Sequence, residues 1–311
     1  MDQNASARAT SLSTGKVAQG IRRRVLEHTL AHDGGYLSQA CSSAEIFASL
    51  YTGVMNIGPS LAPLFPPPFA GVPGPNNLHA FTGSEYNGAK SSAFDRFIMS
   101  PVHYALVLYA TLVEVGRMSP EGLAQFNIDG STVEMIGAEH SPGHEVTAGS
   151  LGQALSQAGG IAMARKLRGD TGRVFVFMSD GEFESGQTWE TLQALRHHKL
   201  DNIVAIVDVN GQQCDGPITD VMTIEPLLDR ITAFGVHATK IDGHDIDALS
   251  LAANSGRTGA PHVILAYTDP CRDIPLLNDR RPKLHYLRFK SSDERHQYQS
   301  FLAQQISTGA W

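Results

Sequence analysis

Two short apolar runs limit what this chain can become. Val174–Met178 and Ile203–Val207 are rich in β-branched and aromatic residues and nearly unbroken, the pattern of strands covered on both faces within a parallel sheet. Each stops at a polar turn, Ser179-Asp180-Gly181 after the first and Asp208-Val209-Asn210-Gly211 after the second. Between them Gln187–Lys199 sets Trp189, Leu192 and Leu195 at helical spacing. The unit therefore reads strand, helix, strand, with a right-handed crossover expected. The fold class that follows is α/β, an open, mostly parallel sheet with helices on both faces.

In such sheets ligands lie beyond the carboxyl ends of the strands, where Asp180 and Asn210 are both placed. Distant in sequence, they meet if their strands are neighbours. A hard cation such as Mg²⁺ takes oxygen ligands in octahedral geometry and commonly shares them with phosphates. One carboxylate, one amide oxygen and one loop carbonyl leave room for two diphosphate oxygens and a water. Gly181 lets backbone approach a phosphate closely. Taken singly, Asp-Gly and Asn-Gly after a strand are ordinary turns; the pairing is what carries information.

The 311 residues, 42% hydrophobic and 18% charged, are enough for one large α/β domain or two small ones. A formal charge of −7 without a basic run disfavours nucleic acid and anionic membranes as partners. Cys41, Cys214 and Cys271 are scattered and odd in number, as expected of reduced thiols in the cytoplasm rather than a disulfide framework or zinc site. Residues 1–16 are polar, without the apolar centre of a signal peptide, and read as a flexible tail. No apolar run is long enough to span a bilayer.

From Val17 to about Leu30 the periodicity is helical, and Arg22–Arg24 are expected to be solvated or to face a partner. A loop through His32 follows, then a helix over 42–55 with Ser42 or Ser43 as its cap. Residues 58–78 are too rich in proline for helix or central strand and read as a surface loop, with a lid as the alternative. A short strand ends near Ser100, and Pro101 opens a helix with His103 in its first turn. Within His140–Leu167 a polar loop becomes a small-residue helix; its glycines at 149, 152, 159 and 160 are costly there unless close packing or ligand approach compensates. Gly149 and Leu151 read as ligand contacts. Strands are expected at Val236–Ile241 and His262–Tyr267, with Asp245 capping the helix between them and His244 structural, and a polar helix from Ser291. Domain boundaries follow: a tail over 1–16, one domain over 17–290, and a helical tail over 291–311.

These pieces in this order resemble the N-terminal, diphosphate-binding part of transketolases, above all the N-terminal subunit of two-chain transketolases. The family's Gly-Asp-Gly closing on an Asn is present as Ser179-Asp180-Gly181 and Asn210; its Thr-Gly-x-Leu-Gly-Gln-Gly as Ala148-Gly149-Ser150-Leu151-Gly152-Gln153-Ala154. Its Ser-x-Gly-His is present as Ser100-Pro101-Val102-His103, and its Ser-Gly-His-Pro-Gly turn as Ala31-His32-Asp33-Gly34-Gly35. Val102, Ala154 and Ser185 depart from the pattern, Ser185 standing where a glutamate near a subunit interface is usual.

The resemblance implies thiamine diphosphate held through Mg²⁺, with Asp180, Asn210 and the Gln212 carbonyl on the metal. Gly149, Leu151, Asp180, Gly181, Glu182 and Asn210 would bind the cofactor. His103 and His285 would be catalytic, at the diphosphate or a developing alkoxide, and His32 and His140 would meet substrate hydroxyls. The implied reaction moves a two-carbon ketol unit from a ketose donor to an aldehyde acceptor. A one-chain transketolase is about twice as long and includes a pyrimidine-binding domain with an essential glutamate. That glutamate is therefore expected from a partner subunit, in an α₂β₂ assembly. The alternatives are the α subunit of a 2-oxo-acid decarboxylating complex and a non-catalytic scaffold of the same fold.

Overall fold

The structure, a computed structural model, describes residues 13–256 and 258–311. Its centre is a five-stranded, all-parallel sheet of β1 (Arg96–Met99), β2 (Val174–Ser179), β3 (Ile203–Val209), β4 (His237–Asp242) and β5 (His262–Tyr267). The spatial order is β1-β2-β3-β5-β4. Val174 pairs with Ile203 and Ser179 with Asp208, so the two runs that open the sequence analysis are adjacent central strands that end level.

Alternation along the strands divides the interior into two cores. Phe97, Met99, Phe175, Phe177, Val204, Ile206, Ile264 and Ala266 face one side; Ile98, Val176, Met178, Ala205, Val207, Val263 and Leu265 face the other, as period-two side chains must. The first face is covered by α1 (Thr14–Ala31), α2 (Leu37–Ser49), α3 (Ala105–Glu114) and α7 (Ile246–Ala253). The second is covered by α4 (Ala154–Arg168), α5 (Gly186–His197) and α6 (Leu227–Ala233). The last helix, α8 (Ser292–Ser307), is capped by Ser291, whose side chain accepts from the Glu294 N–H. No helix among the described residues is long and apolar enough to cross a membrane.

Several local expectations are corrected. Helix α2 begins at Leu37, so Ser42 and Ser43 are interior and buried, not caps. The Ser43 hydroxyl donates back to the Gln39 carbonyl at 2.6 Å, whereas Ser42 donates to Asp208 at 2.5 Å. Arg22 is not solvated: its guanidinium is fully buried and bidentate on Glu45 at 2.7 and 2.6 Å. Gly149 and Gly152 lie in the loop before α4, at φ +140° and +81°, and are therefore no burden on the helix. Within α4, a Cβ on Gly159 would stand 2.8 Å from Leu195 of α5, so close helix packing requires it, while Gly160 faces open space. Helix α1 starts at Thr14, earlier than the expected boundary; residues 1–12 of the expected tail lie outside the described residues. Asp245 caps α7 as expected, accepting from the N–H groups of Asp247 and Ala248. His244 is held between Glu45 and the Asp269 N–H.

Candidate active site

A cavity of about 120 Å³ opens at the carboxyl ends of β1, β2 and β3. Asp180, Gly181, Asn210, Gln212, Leu151, His103 and His285 all line it. The sheet brings the first four together, because β2 and β3 end in register and each releases its chain into a turn there. His103 arrives in the turn that links β1 to α3. His285 arrives from far along the chain: Gly34–Gly35 pair antiparallel with Leu287–Arg288, which lays residues 284–286 beside the start of α2. Ser38 and Gln39 then hold the Leu284 and His285 carbonyls at 2.7 and 3.1 Å.

Asp180 is almost fully buried. Its Oδ1 accepts from the Gly181 N–H and its Oδ2 from the Gly211 N–H, both at 2.8 Å. Burial pushes its carboxyl up to about 8, helped by nearby Asp208 and opposed by those two N–H groups. Asn210 directs Nδ2 at the Tyr104 hydroxyl, 2.8 Å away, and at Asp208, while its Oδ1 accepts from the Gln212 N–H. The Gln212 Oε1 is buried with no hydrogen-bond partner among the described residues. A buried carboxylate, an amide oxygen and an orphaned oxygen at one cavity are a hard donor set, and they fit an oxygen-ligated divalent cation. No group of three or more His, Cys, Asp or Glu that could hold a metal occurs among the described residues, so amide and backbone oxygens would have to complete such a site.

His103 and His285 face each other with ring centroids 4.8 Å apart. Burial lowers His103 to about 3, with His285 adding to the shift. Burial also lowers His285, against the pull of Asp215. Both rings are thus neutral at pH 7, able to donate from one nitrogen and accept at the other.

Four expected residues do not line this cavity. Glu182 turns inward and is fully buried, accepting from the Ser100 hydroxyl, the Gly152 N–H and the Ser179 N–H, the last two at 2.9 Å each. It ties the ends of β1 and β2 to the loop before α4. Gly149 lies in that loop, its Cβ direction 3.2 Å from Ile136 and 4.0 Å from Val102. His140 is buried, paired with Glu134 at 3.2 Å and packed on Phe69. His32 ends α1, stacks on His28 at 4.0 Å and lines a neighbouring cavity.

Asp208, beneath the site, is a residue that sequence patterning did not single out. It is fully buried at the end of β3 and accepts from Ser42, Tyr104, Asn210 and Thr268. It thereby joins α2, the turn before α3 and the segment after β5 under the Asn210 amide. The available signal was an acid closing an otherwise apolar strand, two residues before Asn210 and so on the same side. Tyr104, Ser38 and Gln39 carried no such mark.

The family model for the transketolase, thiamine diphosphate binding domain matches residues 83–268. An uncharacterized transketolase family protein of Sinorhizobium fredii is 34% identical over 91% of this chain and 93% of its own length. The 6-deoxy-6-sulfo-D-fructose transketolase subunit SqwG of a Clostridium species is 30% identical over 81% and 82%. One of the apulose-4-phosphate transketolase subunits of Phocaeicola vulgatus is 29% identical over 79% of each chain. In fold, the chain is similar to a Pichia stipitis transketolase in complex with fructose-6-phosphate, with a TM-score of 0.68 at 20% identity, and spans 44% of that longer chain. With the family's domain matched over most of its length and its paired turns meeting at one cavity, this chain belongs to the transketolase family, as its thiamine-diphosphate-binding domain.

Proposed function

We propose that this chain is the diphosphate-binding subunit of a two-chain transferase that moves a two-carbon ketol unit from a ketose to an aldehyde, using thiamine diphosphate and Mg²⁺. The observation that carries the reading is the convergence of Asp180, Asn210, His103 and His285 on one cavity at the sheet's carboxyl edge. Asp180, Asn210 and the Gln212 carbonyl would hold the metal, and the cofactor would lie against Gly181, Leu151 and the Gly149 loop. Thiamine diphosphate, when bound, supplies the carbanion chemistry. His103 and His285, neutral through burial, are suited to hold a diphosphate oxygen or pass a proton to a substrate oxygen. Glu182 positions Gly152 and Ser179 and so shapes the loop without touching the cofactor, and His140 braces Glu134. Relatives of similar length that are named as transketolase subunits support a partner. Here that partner would be a pyrimidine-binding subunit supplying the glutamate, in an α₂β₂ assembly, and the scattered free thiols suit the cytoplasm.

The test is calorimetric titration of thiamine diphosphate with Mg²⁺ into the chain mixed with its co-purified partner. Metal-dependent binding that Asp180→Ala abolishes, with ketol transfer only when both chains are present, is the expected result. Robust transfer by the isolated chain would refute the need for a partner. Turnover of pyruvate with an electron acceptor and none of ketoses would favour a 2-oxo-acid complex; no binding to a folded pair would leave a scaffold.

A further inference from the structure

The first turns of α2 carry four buried polar side chains, Ser38, Gln39, Ser42 and Ser43. Ser42 reaches Asp208, and Ser43 closes on its own helix. Ser38 and Gln39 instead engage the segment that brings His285 to the cavity. The backbone of that segment is fixed by its pairing with Gly34–Gly35 and by Ser38 on the Leu284 carbonyl. Gln39, only 3% exposed, lines the cavity together with His285, and among the described residues no other side chain hydrogen-bonds the His285 ring.

The Gln39 Nε2 donates to the His285 carbonyl at 3.1 Å and stands 3.5 Å from Nδ1 of the same residue. Its Oε1 lies 3.1 Å from the Ser38 hydroxyl. A carbonyl oxygen can only accept, so the amide is turned with its nitrogen on His285 and its oxygen on Ser38. With one amide proton on the carbonyl, the other is left for Nδ1. That ring nitrogen must then be the acceptor, because an N–H there would meet a second donor across 3.5 Å. Burial keeps the ring neutral against the charge of Asp215, so it has one proton to place, and Nε2 is the remaining position. Packing leaves the ring little room to turn: Tyr36 meets it edge-on at 5.5 Å, and the His103 ring lies 4.8 Å away.

We propose that Gln39 is a positioning residue for His285: it fixes the ring as the Nε2–H tautomer, so that His285 offers a bound oxygen a hydrogen-bond donor rather than a base. A base at Nε2 needs that nitrogen free of its proton, which puts the proton on Nδ1, against the Gln39 amide. Of the two roles open to a neutral histidine, holding an oxygen by its N–H therefore fits the site and abstracting a proton does not. The inference rests on the ketol-transfer reading above only for what the oxygen belongs to, the diphosphate or the substrate; the tautomer is independent of it.

Magic-angle-spinning nitrogen-15 NMR of the histidine-labelled chain in complex with its partner reads the tautomer directly, and His285 is assigned by the signals that His285→Gln removes. Gln39→Met keeps the length of the side chain and removes the donor. In Gln39→Glu an oxygen takes the nitrogen's place; it has at most one proton, for the His285 carbonyl, and turns a lone pair on Nδ1. The expected result is an unprotonated Nδ1 in the wild type that accepts a hydrogen bond, loses it in Gln39→Met and carries the proton in Gln39→Glu. A proton on Nδ1 in the wild type overturns the inference. So does one tautomer common to the wild type and Gln39→Glu, since bracing alone would lower the melting temperature without moving the proton. Two further readouts locate the oxygen. Thiamine diphosphate affinity with Mg²⁺ falling roughly tenfold in both variants, the worth of about one hydrogen bond, places it on the diphosphate. A similar fall in kcat/KM for the ketose at unchanged cofactor affinity places it on the substrate, and the absence of both overturns the donor role. The expected tautomers in a pair that binds no thiamine diphosphate would refute the ketol-transfer reading and uphold Gln39 as the residue that orients His285.

Discussion

Glu182→Gln separates a residue that shapes the site from one that touches the cofactor. The Glu182 Oε1 accepts from Ser100 and from the Gly152 N–H, and Oε2 accepts from the Ser179 N–H. A glutamine keeps one oxygen. Placed toward Ser100 and Gly152, it turns its NH₂ on the Ser179 N–H and leaves that donor without an acceptor; the opposite placement turns it on the Gly152 N–H, while the Ser100 hydroxyl can rotate to accept. Either placement thus orphans one buried N–H, at a cost of about 2 kcal/mol. For a chain of this size that lowers Tm by roughly 3 °C. Glu182→Ala orphans both backbone donors and leaves a cavity. About 4–6 kcal/mol is then lost, a large share of the stability of an ordinary domain. Thermal and urea unfolding of the chain, each with thiamine diphosphate affinity measured alongside, would check the pair. If Glu182→Gln melts within a degree of the wild type yet loses the cofactor, Glu182 is a ligand contact and the bracing role is refuted.

Other outcomes follow from the same physics. Arg22→Met leaves buried Glu45 with His244 alone as a charged partner among the described residues and should destabilise by about 3–5 kcal/mol, whereas Arg22→Met with Glu45→Leu should recover part of that loss; a double variant as unstable as the sum of the singles in urea would sink this. His144 is fully buried, and burial lowers it to about 4, against its hydrogen bond to the Pro142 carbonyl. Its folded value lies below the unfolded one, so the unfolded chain binds the extra proton between pH 6.5 and 4. Stability is therefore full above that window and falls through it, by about 2 kcal/mol at pH 5 from this residue. Urea midpoints at pH 7 and 5 should show a drop to which the similarly lowered His28, His103 and His262 also contribute, and His144→Gln should reduce it by this residue's share.

Sequence alone determined the α/β class, the strands over Val174–Met178 and Ile203–Val207, and the positions of Asp180 and Asn210 beyond their ends. Periodicity and turn chemistry are local, and a strand covered on both faces must be apolar throughout. What carried no local mark was decided by tertiary structure. Arg22 sits among arginines that read as solvated, yet pairing with Glu45 across two helices makes its burial tolerable. Ser42 has a capping residue's chemistry, but its hydroxyl is drawn to Asp208, beneath the Asn210 amide. His140 and His32 match family positions, yet one is committed to Glu134 and Phe69 and the other to a separate aromatic cavity. Glu182 stands in the motif itself, and only three donors arriving from three segments show that its carboxylate faces inward. Those outcomes depend on which distant groups meet, and hydrogen bonds and ion pairs between segments far apart in the chain leave no periodic trace in it.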